Sequence, residues 1–286
     1  MVIHESCQAK IQGSMPTHQA SAKEVQALPI THPENFPVAS ILCPPHLRPA
    51  IAAIYAFARA ADDIADEGQQ NAAQRLDALQ SFRHELLQGP TQQGSHPEIF
   101  LPLHQVIQDF NLPIQYLNNL LKAFEQDVLA TAQSSQSKTM DELLQYCELS
   151  ANPVGRLLLH LYGVNDELAL RQSDAICSAL QLINFWQDLS EDIPRGRFYV
   201  PLEFQTSLDS TALMQHLCQH AHALMMSGAP LVHRVPGRAG LELRGVVQGG
   251  LRILEKVQTL GPLAFQQRPT LKGWDAPVLL WRAIWM

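Results

Sequence analysis

The chain has 286 residues, of which 46% are apolar and only 16% charged, and its formal net charge is −7. That length can bury one large core or two small ones, and an acidic balance with no basic stripe excludes general nucleic-acid binding. The five cysteines (Cys7, Cys43, Cys147, Cys177, Cys218) are scattered with no CxxC or zinc spacing, and no run of about 18 apolar residues could span a membrane, so a cytoplasmic protein with reduced thiols is expected.

Residues 1–30 are polar and aperiodic, and a flexible N-terminal arm is expected there. Pro44, Pro45 and Pro49 break any earlier element, and Pro49 suits the first turn of a helix running from Ala50 to a C-cap at Gly68. In that helix Ile51, Ile54, Tyr55 and Ala58 have the spacing of a buried stripe. Its last turn holds Asp62, Asp63, Asp66 and Glu67, with Arg59 one turn earlier. Asn71–Leu87, Glu98–Phe110 and Pro113–Ala130 read as further helices, the last carrying Glu125 and Asp127 near its end.

A Ser/Gln-rich link leads to Thr139-Met-Asp-Glu, a capping box for a helix that Pro153 is expected to kink. Ser150, Ala151 and Gly155 leave space there, either as a helix-packing notch or as room for a ligand. Asn165 or Asp166 caps a long helix that ends in Gln181-Leu-Ile-Asn184-Phe-Trp-Gln-Asp188-Leu-Ser-Glu-Asp192, just before Pro194. Thr211–Met226 and Gly240–Leu260 add two more helices. No period-2 alternation or hairpin signal appears, so an all-α fold is expected. Residues 266–286 read as an apolar, aromatic tail that either packs on the body or touches a membrane surface.

Two features repeat. Asp62 and Asp66 are i, i+4 in a final helical turn, and so are Asn184, Asp188 and Asp192. A carboxylate at a helix C-terminus faces the negative end of the dipole, at a cost of ~0.3–1 kcal/mol, which a bound cation reverses. An acid pair for glycoside hydrolysis needs one carboxylate on each side, and a di-iron bundle needs Glu-x-x-His repeats. Oxygen-rich, histidine-poor sets suit Mg²⁺, which takes a few carboxylates together with waters and phosphate oxygens. The chemistry read from these residues is metal-assisted departure of a phosphate or diphosphate. There is no Gly-rich phosphate loop and no GxGxxG, so no dinucleotide such as NADPH is expected.

With Tyr55-Ala-Phe-Ala-Arg59 before Asp62-Asp-Ile-Ala-Asp66, the Asn184/Asp188/Asp192 series, and Gly196-Arg197-x-Tyr199-x-Pro201, the chain resembles the squalene/phytoene synthase family from about Thr31 to Leu260. The resemblance implies one isoprenoid-synthase helical bundle (residues 31–265) around a deep apolar cavity. It implies two or three Mg²⁺ ions held by Asp62 and Asp66 on one wall and by Asn184, Asp188 and Asp192 on the other. Arg59, Arg197 and Tyr199 would meet the diphosphate of a prenyl substrate, and Tyr55 would lie near the reacting carbons. His32, Asn35 and Phe36 match the family's N-terminal diphosphate-binding segment. Ala151 and Gly155 match its cavity-shaping small residues. For these second-tier positions packing and ligand contact both remain open.

One residue departs from the pattern. Most of the family has Arg where this chain has Gln187, and Gln offers a phosphate neither permanent charge nor a fork. Either only one diphosphate is handled or another Arg substitutes. The wording around Asn35, Ala151 and Gln187 resembles a bacterial branch tied to hopanoid biosynthesis. That branch implies conversion of presqualene diphosphate and water into hydroxysqualene and diphosphate. Companion enzymes of squalene biosynthesis are expected as partners, and a long apolar substrate suggests a cavity opening towards a membrane surface and a cytoplasmic location peripheral to the inner face of the membrane. Head-to-head condensation of two farnesyl or geranylgeranyl diphosphates, and a non-catalytic assembly factor, are the competing expectations.

Overall fold

The computed structural model describes residues 42–89, 94–132, 138–205 and 209–286, all within the unit Glu34–Met286. Among these residues there are twelve α-helices and no strand. They are α1 (Arg48–Asp66), α2 (Ala72–Gln88), α3 (Pro97–Phe110), α4 (Ile114–Ala132), α5 (Met140–Leu149), α6 (Asn152–Leu161), α7 (Glu167–Gln187), α8 (Leu189–Asp192), α9 (Leu202–Gln205), α10 (Ser210–Gly228), α11 (Gly237–Leu260) and α12 (Ala276–Trp285).

The helix ends follow local chemistry. Asn71 and Gln74 close a capping box on α2, and Thr139 and Glu142 do so on α5, each pair satisfying two amides that would otherwise lack partners. Asp166 accepts from the Ala169 amide at the start of α7. Glu67 caps α1 and Gly68 follows it at φ +82°, a left-handed conformation that glycine adopts without strain.

Two apolar clusters form the interior. The first unites α1–α4 around Phe57, Phe82 and Phe100, whose ring centroids lie 4.7–6.1 Å apart. Burying each such ring contributes about 1.5–3 kcal/mol. The second surrounds α7, which packs against α5, α6, α10 and α11. The buried face of α1 is Ala50, Ala53, Ile54, Phe57, Ala61 and Ala65, so the stripe is rotated from the one expected. Ile51, Tyr55 and Ala58 are only half-buried at its margin. That rotation leaves Tyr55, Arg59, Asp62 and Asp66, at steps of four, three and four, on one less buried face.

The expected kinked helix is two helices. α5 stops at Leu149, the Ser150 hydroxyl donates to the Tyr146 carbonyl, and Pro153 stands in the first turn of α6, where its missing N–H costs nothing. Arg156 then ties α6 to α7 by a two-pronged bond to Asp174 (2.9 and 2.6 Å). A Cβ on Gly155 would lie 2.4 Å from Ser173 Oγ and 2.5 Å from Cys177 Sγ, so its small size is what lets α6 lie against α7. The segment 266–286 contains α12, which lies on α11 through an Arg282–Glu255 ion pair and a bond from Arg244 to the Ala283 carbonyl.

Candidate active site

The two acidic motifs end helices of different clusters. On α1, Arg59 is wrapped by its own helix: Nη1 donates to Asp62 (2.9 Å), and Nη2 meets Asp63 (2.6 Å) and Glu67 (2.9 Å). These pairs offset the unfavourable dipole end, although half-exposed pairs are worth ~0–1 kcal/mol each. Asp66, one turn further, reaches across the fold to Arg197, whose Nη2 donates to Oδ2 at 2.6 Å.

The second motif is not one continuous helix. α7 ends at Gln187, Asp188 has φ −98° and ψ 9°, and α8 restarts at Leu189. The i, i+4 hydrogen bonds nevertheless persist, from the Asp188 amide to Asn184 and from the Asp192 amide to Asp188 (2.9 and 2.8 Å). The Asn184–Asp188–Asp192 column therefore survives the break. The 3-10 turn Ile193–Arg195 and Gly196 (φ +78°) reverse the chain and aim Arg197 at Asp66. Tyr199 stacks on Phe185 of α7, with centroids 3.9 Å apart and planes within 11°. That stack fixes the exit loop against the helix that precedes it.

The electrostatics mark a shared site. Burial, and then the charge of Asp188, push the Asp192 carboxyl up to about 6. Burial raises the Tyr199 hydroxyl too, reinforced by Asp127, Asp192 and Asp66. Asp127 on α4 is a site residue that local pattern did not single out. Burial pushes its carboxyl up to about 6, the Tyr146 hydroxyl donates to it at 2.7 Å, and Asp66 and Arg197 both act on it. Lys138 sits 4.4 Å from the centre of the Tyr146 ring.

Arg268 is the second residue not foreseen. Its Nε bonds Asp188 and lies 3.7 Å from Glu191. Gln187, by contrast, is buried, and its Nε2 donates to the Pro269 carbonyl at 2.8 Å. Tyr55 is half-buried on the face of α1 that carries the acids, and Ala151 is half-buried between α5 and α6. His32, Asn35 and Phe36 lie outside the described residues.

The donor set suits a hard divalent cation. It is all oxygen, and two guanidinium groups, Arg197 at Asp66 and Arg268 at Asp188, already stand as cations on the carboxylates of either motif. Among the described residues no three His, Cys, Asp or Glu side chains converge on one point. A cation held here would therefore share its coordination with waters and ligand oxygens.

Residues 31–275 match the family model described as squalene/phytoene synthase. The chain is 33% identical to the hydroxysqualene synthase of Rhodopseudomonas palustris over 261 residues, covering 85% of this chain and 86% of that one. It is 30% identical to the presqualene diphosphate synthase of the same organism, over 85% and 86% of the two chains. The crystal structure of squalene synthase HpnC from Alicyclobacillus acidocaldarius superposes with a TM-score of 0.69 at 32% identity, covering 78% of this chain and 88% of that one.

Proposed function

Because the chain belongs to the squalene/phytoene synthase family, we propose that it converts presqualene diphosphate and water into hydroxysqualene with release of diphosphate. The observation that carries the chemistry is the Arg197–Asp66 bridge, which joins the end of one acidic motif to the exit loop of the other across 131 residues of chain. The similarity to a hydroxysqualene synthase over most of both chains supports the choice of substrate.

Asp62 and Asp66 on one side, and Asn184, Asp188 and Asp192 on the other, would hold Mg²⁺ ions. When bound, these ions supply Lewis-acid neutralisation of the leaving diphosphate. Arg197, Arg59 and Arg268 already stand at these carboxylates and are the cations that orient the diphosphate oxygens. Tyr55 would lie near the reacting carbons, and the Phe185–Tyr199 stack would offer an aromatic face to positive charge. The C–O bond breaks with its electron pair leaving on the diphosphate. The cyclopropylcarbinyl cation rearranges, a water oxygen bonds to it, and the water's second proton passes to a base. Asp127, paired with Tyr146 and influenced by Asp66 and Arg197, would serve as that base. No carbon is reduced, so the reaction consumes no NADPH.

The protein works in the cytoplasm, beside the condensing enzyme that supplies its substrate, and rests on the inner face of the membrane. Cys43, Cys147, Cys177 and Cys218 are all free thiols, and among the described residues no helix is long and apolar enough to cross a bilayer. α12 buries none of its residues and leaves Leu280, Trp281, Ile284 and Trp285 each about two-thirds exposed or more. Tryptophans in such an amphipathic helix favour the headgroup layer.

Purified chain with Mg²⁺ should be given presqualene diphosphate in one reaction and farnesyl diphosphate in another. Hydroxysqualene and free diphosphate are expected from the first. Turnover of farnesyl diphosphate alone would instead establish the condensing reading, which the 30% identity to a presqualene diphosphate synthase keeps as the second choice.

A further inference from the structure

The contact between Gln187 and Pro269 joins the last residue of α7 to a segment 82 residues later. Gln187 is 1% exposed, and its amide donates to a carbonyl on an irregular stretch between α11 and α12. The two residues that flank this contact are a cation and an acid. Arg268, just before Pro269, bonds Asp188, which immediately follows Gln187. The neighbouring acid Glu191 lies 3.7 Å from the same guanidinium nitrogen.

The far side of the segment is held independently. Lys256 of α11 donates to the Thr270 carbonyl (2.9 Å) and to Asp275 (2.6 Å). Asp275 is itself buried and is met by Arg252 and by the Lys272 amide. One hydrogen bond from α7 and a charged network from α11 thus grip residues 268–275 from opposite ends.

We infer that Gln187 is a positioning residue: its buried amide latches the Pro269 carbonyl so that Arg268 delivers, from the C-terminal segment, the positive charge that residue 187 itself lacks. The inference rests on the reading of this site as a diphosphate site. A side chain that anchors backbone has no need of charge, and an Arg at 187 would bring a second guanidinium beside the one that Arg268 already sets against Asp188. The latch therefore accounts both for the uncharged residue at 187 and for its burial.

The test is calorimetric binding of inorganic diphosphate, with Mg²⁺ present, to the full chain and to Q187M, R268A and the double variant. Methionine keeps the length and volume of glutamine but removes the donor. Loss of one charge-assisted contact corresponds to roughly tenfold in affinity. Q187M and R268A should each bind about tenfold more weakly than wild type, and the double variant no more weakly than R268A. Should Q187M fail to fold, Q187N carries the same expectation, because its amide is too short to reach.

Binding by a folded Q187 variant within about twofold of wild type, or losses that add in the double variant, would overturn the latch. Wild-type chain that binds no diphosphate would overturn the proposed function and the latch with it. Wild-type chain that binds diphosphate but makes no hydroxysqualene would refute only the choice of substrate, and the latch would be judged on its variants.

Discussion

With Asp192 as a proposed metal ligand, the position of that carboxylate predicts a pH dependence for metal loading. Burial comes first and the charge of Asp188 second in raising it to about 6, against the lowering pull of Arg197 and Arg195. A proton and a divalent cation compete for the same oxygens, so apparent metal affinity scales with the ionised fraction. At pH about 7 roughly nine-tenths of Asp192 is ionised, and at pH about 5 roughly one-tenth, so the Mg²⁺ half-saturation concentration should rise about tenfold over that span. An unperturbed aspartate would change it by only about a tenth. The sign is fixed: affinity rises as pH rises through 6 and levels off above it.

Titrating Mg²⁺ into the chain in the presence of diphosphate, at half-unit pH steps, measures this directly. The ligand's own protonation is removed by comparison with D192N, which lacks the titrating carboxyl. D188N supplies a second control: removing the neighbouring charge should move the inflection to lower pH. Wild type and D192N profiles that run parallel between pH about 7 and 5 would refute the assignment of Asp192 as a ligand.

Burial of Asp127 predicts an effect of the opposite sense on stability. Its folded-state carboxyl, at about 6, holds a proton more tightly than the unfolded chain does, so stability falls as pH rises from about 4 to 6. Relative to D127N, wild type should lose up to about 3 kcal/mol across that window in urea denaturation, and equal slopes would show that Asp127 is solvated. Gly155→Ala should lower the melting temperature even though a helical Gly→Ala change ordinarily gains about 1 kcal/mol, because overpacking against Ser173 and Cys177 costs about 1–3 kcal/mol; thermal denaturation showing stabilisation would contradict the close approach of α6 to α7. Replacing Trp281 and Trp285 together by alanine should cut flotation with phosphatidylglycerol-containing vesicles at least several-fold while leaving turnover of detergent-dispersed substrate unchanged. Unchanged flotation would remove α12 from the membrane contact.

What could be read from the sequence is what is decided within a turn or two of helix. The capping residues Thr139 and Asp166, the proline that opens α1, and the acids at the ends of α1 and α7 all act on neighbours a few positions away. Pro153 shows where such reading stops: its ring forbids a helix interior, but only the surrounding contacts decide between a kink and a fresh start. The rotation of the α1 stripe is similar, since an alanine-rich helix offers several faces and Phe82 and Phe100 select the one with Phe57. Asp127 looked like an ordinary charge on an amphipathic helix until Tyr146 and the site covered it. Arg268 carried no local signal at all, because its partner lies 80 residues earlier. Gln187 could be flagged as irregular, but its hydrogen-bond acceptor is a backbone carbonyl, which leaves no mark in residue identity.

The guanidinium groups of Arg197 and Arg268 bear on more than ligand recognition. Facing carboxylates at two helix ends would ordinarily repel one another and prise α1 away from α8. Here each motif carries its own internal counter-ion, one from the exit loop and one from the C-terminal segment. On the proposed reading, loading the site would be an ion exchange in which these arginines shift from protein carboxylates to diphosphate oxygens. Folding and loading become separable events: the helices can assemble without divalent cations, and chelation should empty the site without unravelling the bundle around it.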